Sequence, residues 1–347
     1  MRRPKRRRSF ALVAPAAVVA GCLAQSPEAF DRPRIVDVRR GLSSVEIAEL
    51  LVDEDVLSHK WGFLWKRMLN RSANLMAGEY VFERPMSAEE VFEKLVTGRV
   101  RLYPITIPEG LNRFEIAGLV AEKGIGTEAE FLALTALPGP IKDLLPKAAT
   151  LEGALFPDTY HLSKASTVHD LVRSMLHSFR EALAEARKHR TVELSDWDAT
   201  VLASMIEDET AVSGERPLVS SVFHNRMRRG MLMQCDPTIA YGMMLEGRYR
   251  GMLYRRDLSD PTPYNTYVHE GLPPGPITNP GAASLNAAFG PAETDFIFFV
   301  ARPGYTSGHS FSVRLRDHNR AVQALRAYNA EVRAARRADR TKLETAD

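Results

Sequence analysis

The sequence predicts an α+β fold in two parts: a small α+β subdomain, then a larger mixed α/β one, with a single apolar segment in front. Three observations predict it. A strand–turn–helix spacing recurs three times in the first half. Helix-period and strand-like runs alternate with turn-rich segments in the second. One apolar stretch lies at the N-terminus. The 347 residues suit two domains, and 45% apolar with 26% charged residues is ordinary globular composition. This excludes intrinsic disorder, a collagenous repeat and, with two Cys, a disulfide-stapled miniprotein.

Six cations (Arg2, Arg3, Lys5, Arg6, Arg7, Arg8) precede the apolar run Phe10 to Ala24, which has 15 residues. That is short of the roughly 20 a spanning helix needs. Charge followed by an apolar segment reads as an export signal or signal anchor over residues 1–24, positive end in the cytoplasm. Val19-Ala20-Gly21-Cys22 also fits a lipoprotein-type box, with Cys22 lipidated. Both readings place residues beyond about 25 outside the cytoplasmic membrane and leave Cys235 a free thiol. Residues 1–22 contain no acid, so without them the net charge passes from +3 to −3. The folded part is mildly acidic and gives no argument for nucleic acid as a partner.

The repeated unit places an N-cap residue three before a glutamate: Ser43 and Glu46, Ser87 and Glu90, Asn112 and Glu115. The first two are capping boxes, and Asn112 is a looser copy. Apolar residues then recur at helical spacing (Ile47, Leu50, Leu51; Val91, Leu95, Val96; Ile116, Leu119, Val120). Strand-like runs precede each helix at Arg34 to Val38, Glu79 to Glu83 and Arg101 to Ile107, and a further helix is expected around Leu57 to Asn70. Residues 104–150 are transitional, broken by Pro138, Gly139, Pro140 and Pro146. An amphipathic helix runs from Val168 to about His189, a second helix spans 198–209, and Phe296 to Ala301 reads as a buried strand. The tail after Glu331 is Ala- and Arg-rich, a frayed, solvated helix.

Chemistry collects between 151 and 312, in LEGALFPDTY (Leu151 to Tyr160), VLASMIEDET (Val201 to Thr210), QCDPTIAYG (Gln234 to Gly242), PYNTY (Pro263 to Tyr267), GLPPGPITNPG (Gly271 to Gly281) and GHSF (Gly308 to Phe311). In this order the set resembles the endolytic murein transglycosylase (YceG-like) family, over about residues 34–327. The resemblance implies a membrane-anchored lyase with a LysM-like subdomain (34–103) and a catalytic subdomain (104–327); composition adds a charged helical tail (328–347). It implies cleavage of nascent peptidoglycan at the MurNAc–GlcNAc bond, leaving 1,6-anhydro-MurNAc ends and terminating strand elongation. It further implies a catalytic domain facing the periplasm from the inner membrane, glycan strands as substrate, peptidoglycan synthases as candidate partners, and no cofactor. A non-catalytic peptidoglycan-binding scaffold and a hydrolytic muramidase are the alternatives.

Such chemistry needs a general acid still protonated near neutral pH. On helix 198–209, Glu209 follows Met205 by four and Ile206 by three, beside the apolar face, whereas Glu207 stacks on Ala203 and Ser204. Desolvation and the negative helix end both raise a carboxyl's pKa, which favours Glu209 with Glu207 as runner-up. The family's catalytic glutamate also aligns with the Glu preceding the Thr, Glu209. One carboxyl can serve as acid and then base if the sugar's own C6 hydroxyl is the nucleophile, a group of high effective molarity. Glu152, Asp158 and Asp236 are candidates for a second carboxylate. Gln234, Asp236, Thr238, Tyr264, Asn265, Thr266 and Tyr267, with Glu152, offer the polar and flat groups that line a glycan groove. His309 and His318 lack metal-ligand spacing, so no metal is expected.

Overall fold

The computed structural model describes residues 31–304 and 308–344. The expected anchor and Cys22 lie outside them. Among the described residues no helix is long and apolar enough to cross a membrane. The chain divides into two compact units. The first comprises residues up to 105 plus 161–166, the second 106–160 and 167 onward.

In the first unit, β1 (Arg34–Val38) is followed by α1 (Ser44–Asp53), α2 (Trp61–Leu69), β2 (Gly78–Phe82) and α3 (Ala88–Val96). Period-2 alternation sends Val36 and Val38 inward and leaves Ile35 exposed. β1 and β2 pair antiparallel with Val36 opposite Tyr80. The helices close over this ribbon through Ile47, Leu51, Phe63, Val91, Phe92 and Leu95, with Phe63 edge-on to Phe92 at 5.6 Å. Ser43 and Ser87 form the expected capping boxes. The extra helix starts at Trp61 rather than Leu57, because the N–H groups of Val56 and Leu57 both donate to the Leu51 carbonyl and close off α1.

β3 (Leu102–Thr106) pairs with β4 (Thr159–Ser163), and the division between units falls within both strands. The third capped helix, α4 (Arg113–Glu122), belongs to the second unit. Asn112 caps it with a full box, accepting from Phe114 and Glu115 while Glu115 accepts from Asn112. The transitional stretch is ordered as α4, α5 (Glu128–Thr135) and a single 3₁₀ turn at Gly139–Ile141. Then come α6 (Val168–Ala186), α7 (Asp196–Glu209), α8 (Arg216–Arg228), α9 (Asp236–Leu245), α10 (Ala282–Phe289), the hairpin β5 (Phe298–Ala301) with β6 (His309–Ser312), and α11 (Leu315–Glu344).

Two expectations change here. The apolar run 296–301 is a half-buried strand rather than a buried one, because its sheet has only two strands. The tail is one continuous helix from Leu315, with no start near 328. α7 is the centre of the unit. Trp197, Val201, Leu202, Met205 and Ile206 are buried, as are Thr200 and Ser204 on other sides, the pattern of a helix enclosed all round. α8, α9 and α10 pack against it.

Candidate active site

Ser195 caps α7 by accepting from Asp198 N–H at 3.1 Å, and the helix ends in Glu207, Asp208 and Glu209. The Gly/Pro loop 271–281 is strapped along it. Ser204 Oγ accepts from Ile277 N–H at 3.1 Å, and Thr278 Oγ1 donates to the Ser204 carbonyl at 3.1 Å. Gly153 of the LEGALFPDTY segment is required by the same packing. Its φ is +83°, and a Cβ would stand 2.5 Å from Pro276 Cγ.

Partners, not burial, separate the two glutamates. Glu207 is the more buried, its side chain 4% exposed, and an Arg216 Nη2 contact of 2.5 Å occupies one oxygen. Gly281 N–H donates to the other at 2.9 Å. Arg216 also reaches Glu109 at 3.1 Å. The contrast drawn from the helix faces, with Glu207 on the more polar side, is thus not what distinguishes the pair. Glu209 is half-buried. Burial pushes its carboxyl up to about 7, and the charges of Asp236 and Asp208 push the same way. The hydrogen bond with the Cys235 thiol is the main pull the other way, with a smaller one from Arg226, and burial outweighs both. The outcome is a carboxyl that keeps its proton near neutrality yet retains access to solvent.

Beside Glu209 runs the QCDPTIAYG segment. Gln234 is exposed and holds φ at +52°, in the left-handed region that a non-glycine residue occupies only under external constraint. Its N–H donates to the Thr266 carbonyl at 3.1 Å. Asp236 is exposed and accepts from Tyr267 Oη at 2.6 Å. Tyr264 and Tyr267 are half-buried. Desolvation pushes the Tyr264 phenol up to about 12 and that of Tyr267 higher still.

Four of the expected binding residues lie inside this wall. Thr238 is buried, donates to the Cys235 carbonyl at 2.7 Å and meets Thr266 Oγ1 at 3.0 Å, while Cys235 N–H donates to that same Thr266 oxygen. Asn265 is buried and donates to the carbonyls of Leu258 and Asp260 at 3.2 and 2.7 Å, accepting from Tyr267 N–H. Glu152, 3% exposed, accepts from Arg113 N–H (3.0 Å), Tyr241 Oη (2.8 Å) and Asn279 Nδ2 (2.8 Å). Burial outweighs these donors and raises its carboxyl to about 7. With no face open to a ligand, these four fix the wall instead of presenting polar atoms from it.

Gln234, Asp236, Tyr267 and Glu209 therefore come together. Tyr264 joins them through Tyr241 of α9, ring centres 5.2 Å apart, and links them to Glu152. Asp158 is exposed and serves a local turn, accepting from Thr159 N–H at 2.7 Å. His309 Nδ1 lies 2.8 Å from Glu215, and His318 stacks on Phe298 at 5.0 Å. Among the described residues no His/Cys/Asp/Glu group is arranged to hold a metal ion. Sequence reasoning missed Arg216, Glu109 and Arg113. Their partners lie 9, 107 and 39 residues away, beyond any local spacing.

The chain is thus a two-unit α+β protein whose central helix ends in a proton-holding carboxyl beside polar and aromatic side chains. The chain belongs to the YceG-like family, which it matches over residues 36–324. It is 29% identical over 308 residues to the endolytic murein transglycosylase of Bacillus subtilis, covering 83% of each chain. It is 27% identical to a protein of the same description from Streptococcus pneumoniae, covering 83% of this chain and 57% of that longer one. The 2.6 Å crystal structure of a YceG-like protein from Listeria monocytogenes superposes with a TM-score of 0.55 at 30% identity, over 83% of this chain and 99% of that one.

Proposed function

We infer that this chain is an endolytic peptidoglycan lytic transglycosylase with Glu209 as its acid and base. The observation that carries the reading is the half-buried Glu209 carboxyl, raised to about 7 and without the close arginine pairing of Glu207, beside Gln234, Asp236 and Tyr267, in a chain whose relatives bear that description. Protonated Glu209 donates to the oxygen leaving the MurNAc anomeric carbon. The resulting carboxylate takes the proton from the sugar's C6 hydroxyl, whose oxygen closes on the anomeric carbon as the 1,6-anhydro ring. The proton lent in the first half is recovered in the second, so the site regenerates without water.

Gln234, Asp236, Tyr264 and Tyr267 form the glycan-facing wall. The first unit is read as the LysM-like, glycan-associated part without chemistry of its own: its buried carboxylate, Glu79, is tied to Arg101, Lys164 and Tyr103. Residues 1–24 hold the chain to the inner membrane with the site in the periplasm, where glycan strands and the candidate synthase partners lie. Mass spectrometry of sacculi digested by the purified protein tests the reaction. Anhydro ends, lighter by one water than hydrolytic ends, are expected. Hydrolytic ends would make it a muramidase, and intact sacculi a scaffold.

A further inference from the structure

α2 is amphipathic in an unusual sense, with two apolar faces. One belongs to the core: Phe63 is fully buried against Phe92. The other carries Trp61, Trp65, Met68 and Leu69, at spacings of four, three and one that place them within about a third of a turn. These four are 67%, 39%, 44% and 62% exposed. A contiguous apolar stripe turned to solvent contributes nothing to the fold that displays it and marks a surface that something covers.

Its surroundings specify the partner. Lys60, Lys66, Arg67 and Arg71 are interspersed with the stripe or flank it in sequence. Lys60 pairs with Glu49 at 2.6 Å, Lys66 pairs with Glu89, and Arg67 is held by Ser44 Oγ and the carbonyls of Asn70, Arg71 and Ala73. The stretch 60–71 that carries the stripe holds these four cations and no Asp or Glu of its own. Tryptophan with long aliphatic side chains, accompanied by Lys and Arg, is the composition that settles at the boundary of headgroups and acyl chains. A sugar platform would need amides or carboxylates aimed beside the rings in a concave site. This face is one convex helix whose Met68 and Leu69 offer no hydrogen bond. The sequence also fixes the distance: ten peptide steps lie between Ala24, where the apolar run ends, and Arg34 of β1, a reach of at most roughly 35 Å.

We propose that the Trp61/Trp65/Met68/Leu69 face of α2 seats the first unit on the surface of an anionic bilayer. This rests on the membrane-anchored reading of residues 1–24, and the test separates the two. Trp197, buried in α7, is the third tryptophan of the chain, so Trp197→Phe leaves Trp61 and Trp65 as the emitters. The full-length variant is mixed with phosphatidylethanolamine/phosphatidylglycerol vesicles containing brominated acyl chains, floated after a high-salt wash, and its fluorescence recorded.

Flotation with blue-shifted emission quenched by the bromolipid is the expected result. Adding Met68→Lys and Leu69→Lys should return the emission to that of tryptophan in water while flotation persists. Flotation with unquenched emission overturns the docking face and leaves the anchor. Quenching without salt-resistant flotation supports the face and overturns the anchor. Neither signal overturns both. A blue shift produced by soluble glycan fragments in the absence of lipid overturns the proposal in favour of a sugar platform.

Discussion

Glu207 and Glu209 are two residues apart on one helix end, and their environments assign them different work. Arg216 sits 2.5 Å from Glu207 with both side chains less than a tenth exposed, so removing Arg216 strands the buried Glu207 carboxylate, and removing Glu207 leaves the buried guanidinium only the half-exposed Glu109. Glu207→Gln and Arg216→Gln are each expected to lower stability by about 3–5 kcal/mol. The double variant should lose less than the sum in chemical melts, and additive losses would show that the pair is not coupled. At Gln234 the left-handed backbone is the strained feature. Gln234→Gly should leave melting within about 1 kcal/mol of the parent or slightly above it, while raising KM for glycan. A fall in stability with unchanged KM would make Gln234 a structural residue. The step from Met205 and Ile206 to Glu209 is written in the sequence and points to a desolvated carboxyl there, in keeping with the burial that raises it. The Glu207–Arg216 pair was not legible there, because the chain between them leaves the helix at Thr210 and turns before Arg216.

The elements that hold the site are fastened by a few hydrogen bonds. Ser204 is the clasp between α7 and the 271–281 loop. Ser204→Ala would leave the buried Ile277 N–H without its acceptor, an expected loss of about 1–3 kcal/mol, and activity should fall further than stability because the loop also carries Asn279 to Glu152. Parallel melting and turnover measurements check this, and a variant that loses neither would remove the clasp. The capped helices were readable because a capping box is written within four residues. The bounds 34–103 and 104–327 already put the helix after Asn112 in the second part, but no local spacing shows the contact that ties it there. That contact is Asn279 N–H donating to the Leu111 carbonyl, 168 residues along. The 296–301 run misled for a related reason. Continuous apolar composition signals a buried strand only where sheet neighbours exist to bury it, and β5 has one partner.

Among the described residues three carboxyls are raised by burial, Glu152, Asp208 and Glu209, and all three push the response to pH the same way. Glu152, enclosed and raised to about 7, binds its proton more tightly folded than unfolded. Stability is therefore fullest below the unfolded value near 4.5 and falls as pH rises towards 7, by on the order of 2–3 kcal/mol for this group. Melting temperature should decline from pH 5 to 8, and a flat profile would contradict the burial of Glu152. Activity should fall over the upper part of the same range, because Glu209 must enter the reaction protonated. The central claim is that this one carboxyl does the chemistry. Its most direct test is the yield of anhydro-ended muropeptides from sacculi by Glu209→Gln, compared with the parent protein at matched thermal stability. The account expects a loss of at least about 10²–10⁴-fold with melting unchanged or slightly raised. Substantial anhydro product from Glu209→Gln, with the protein folded, would contradict it.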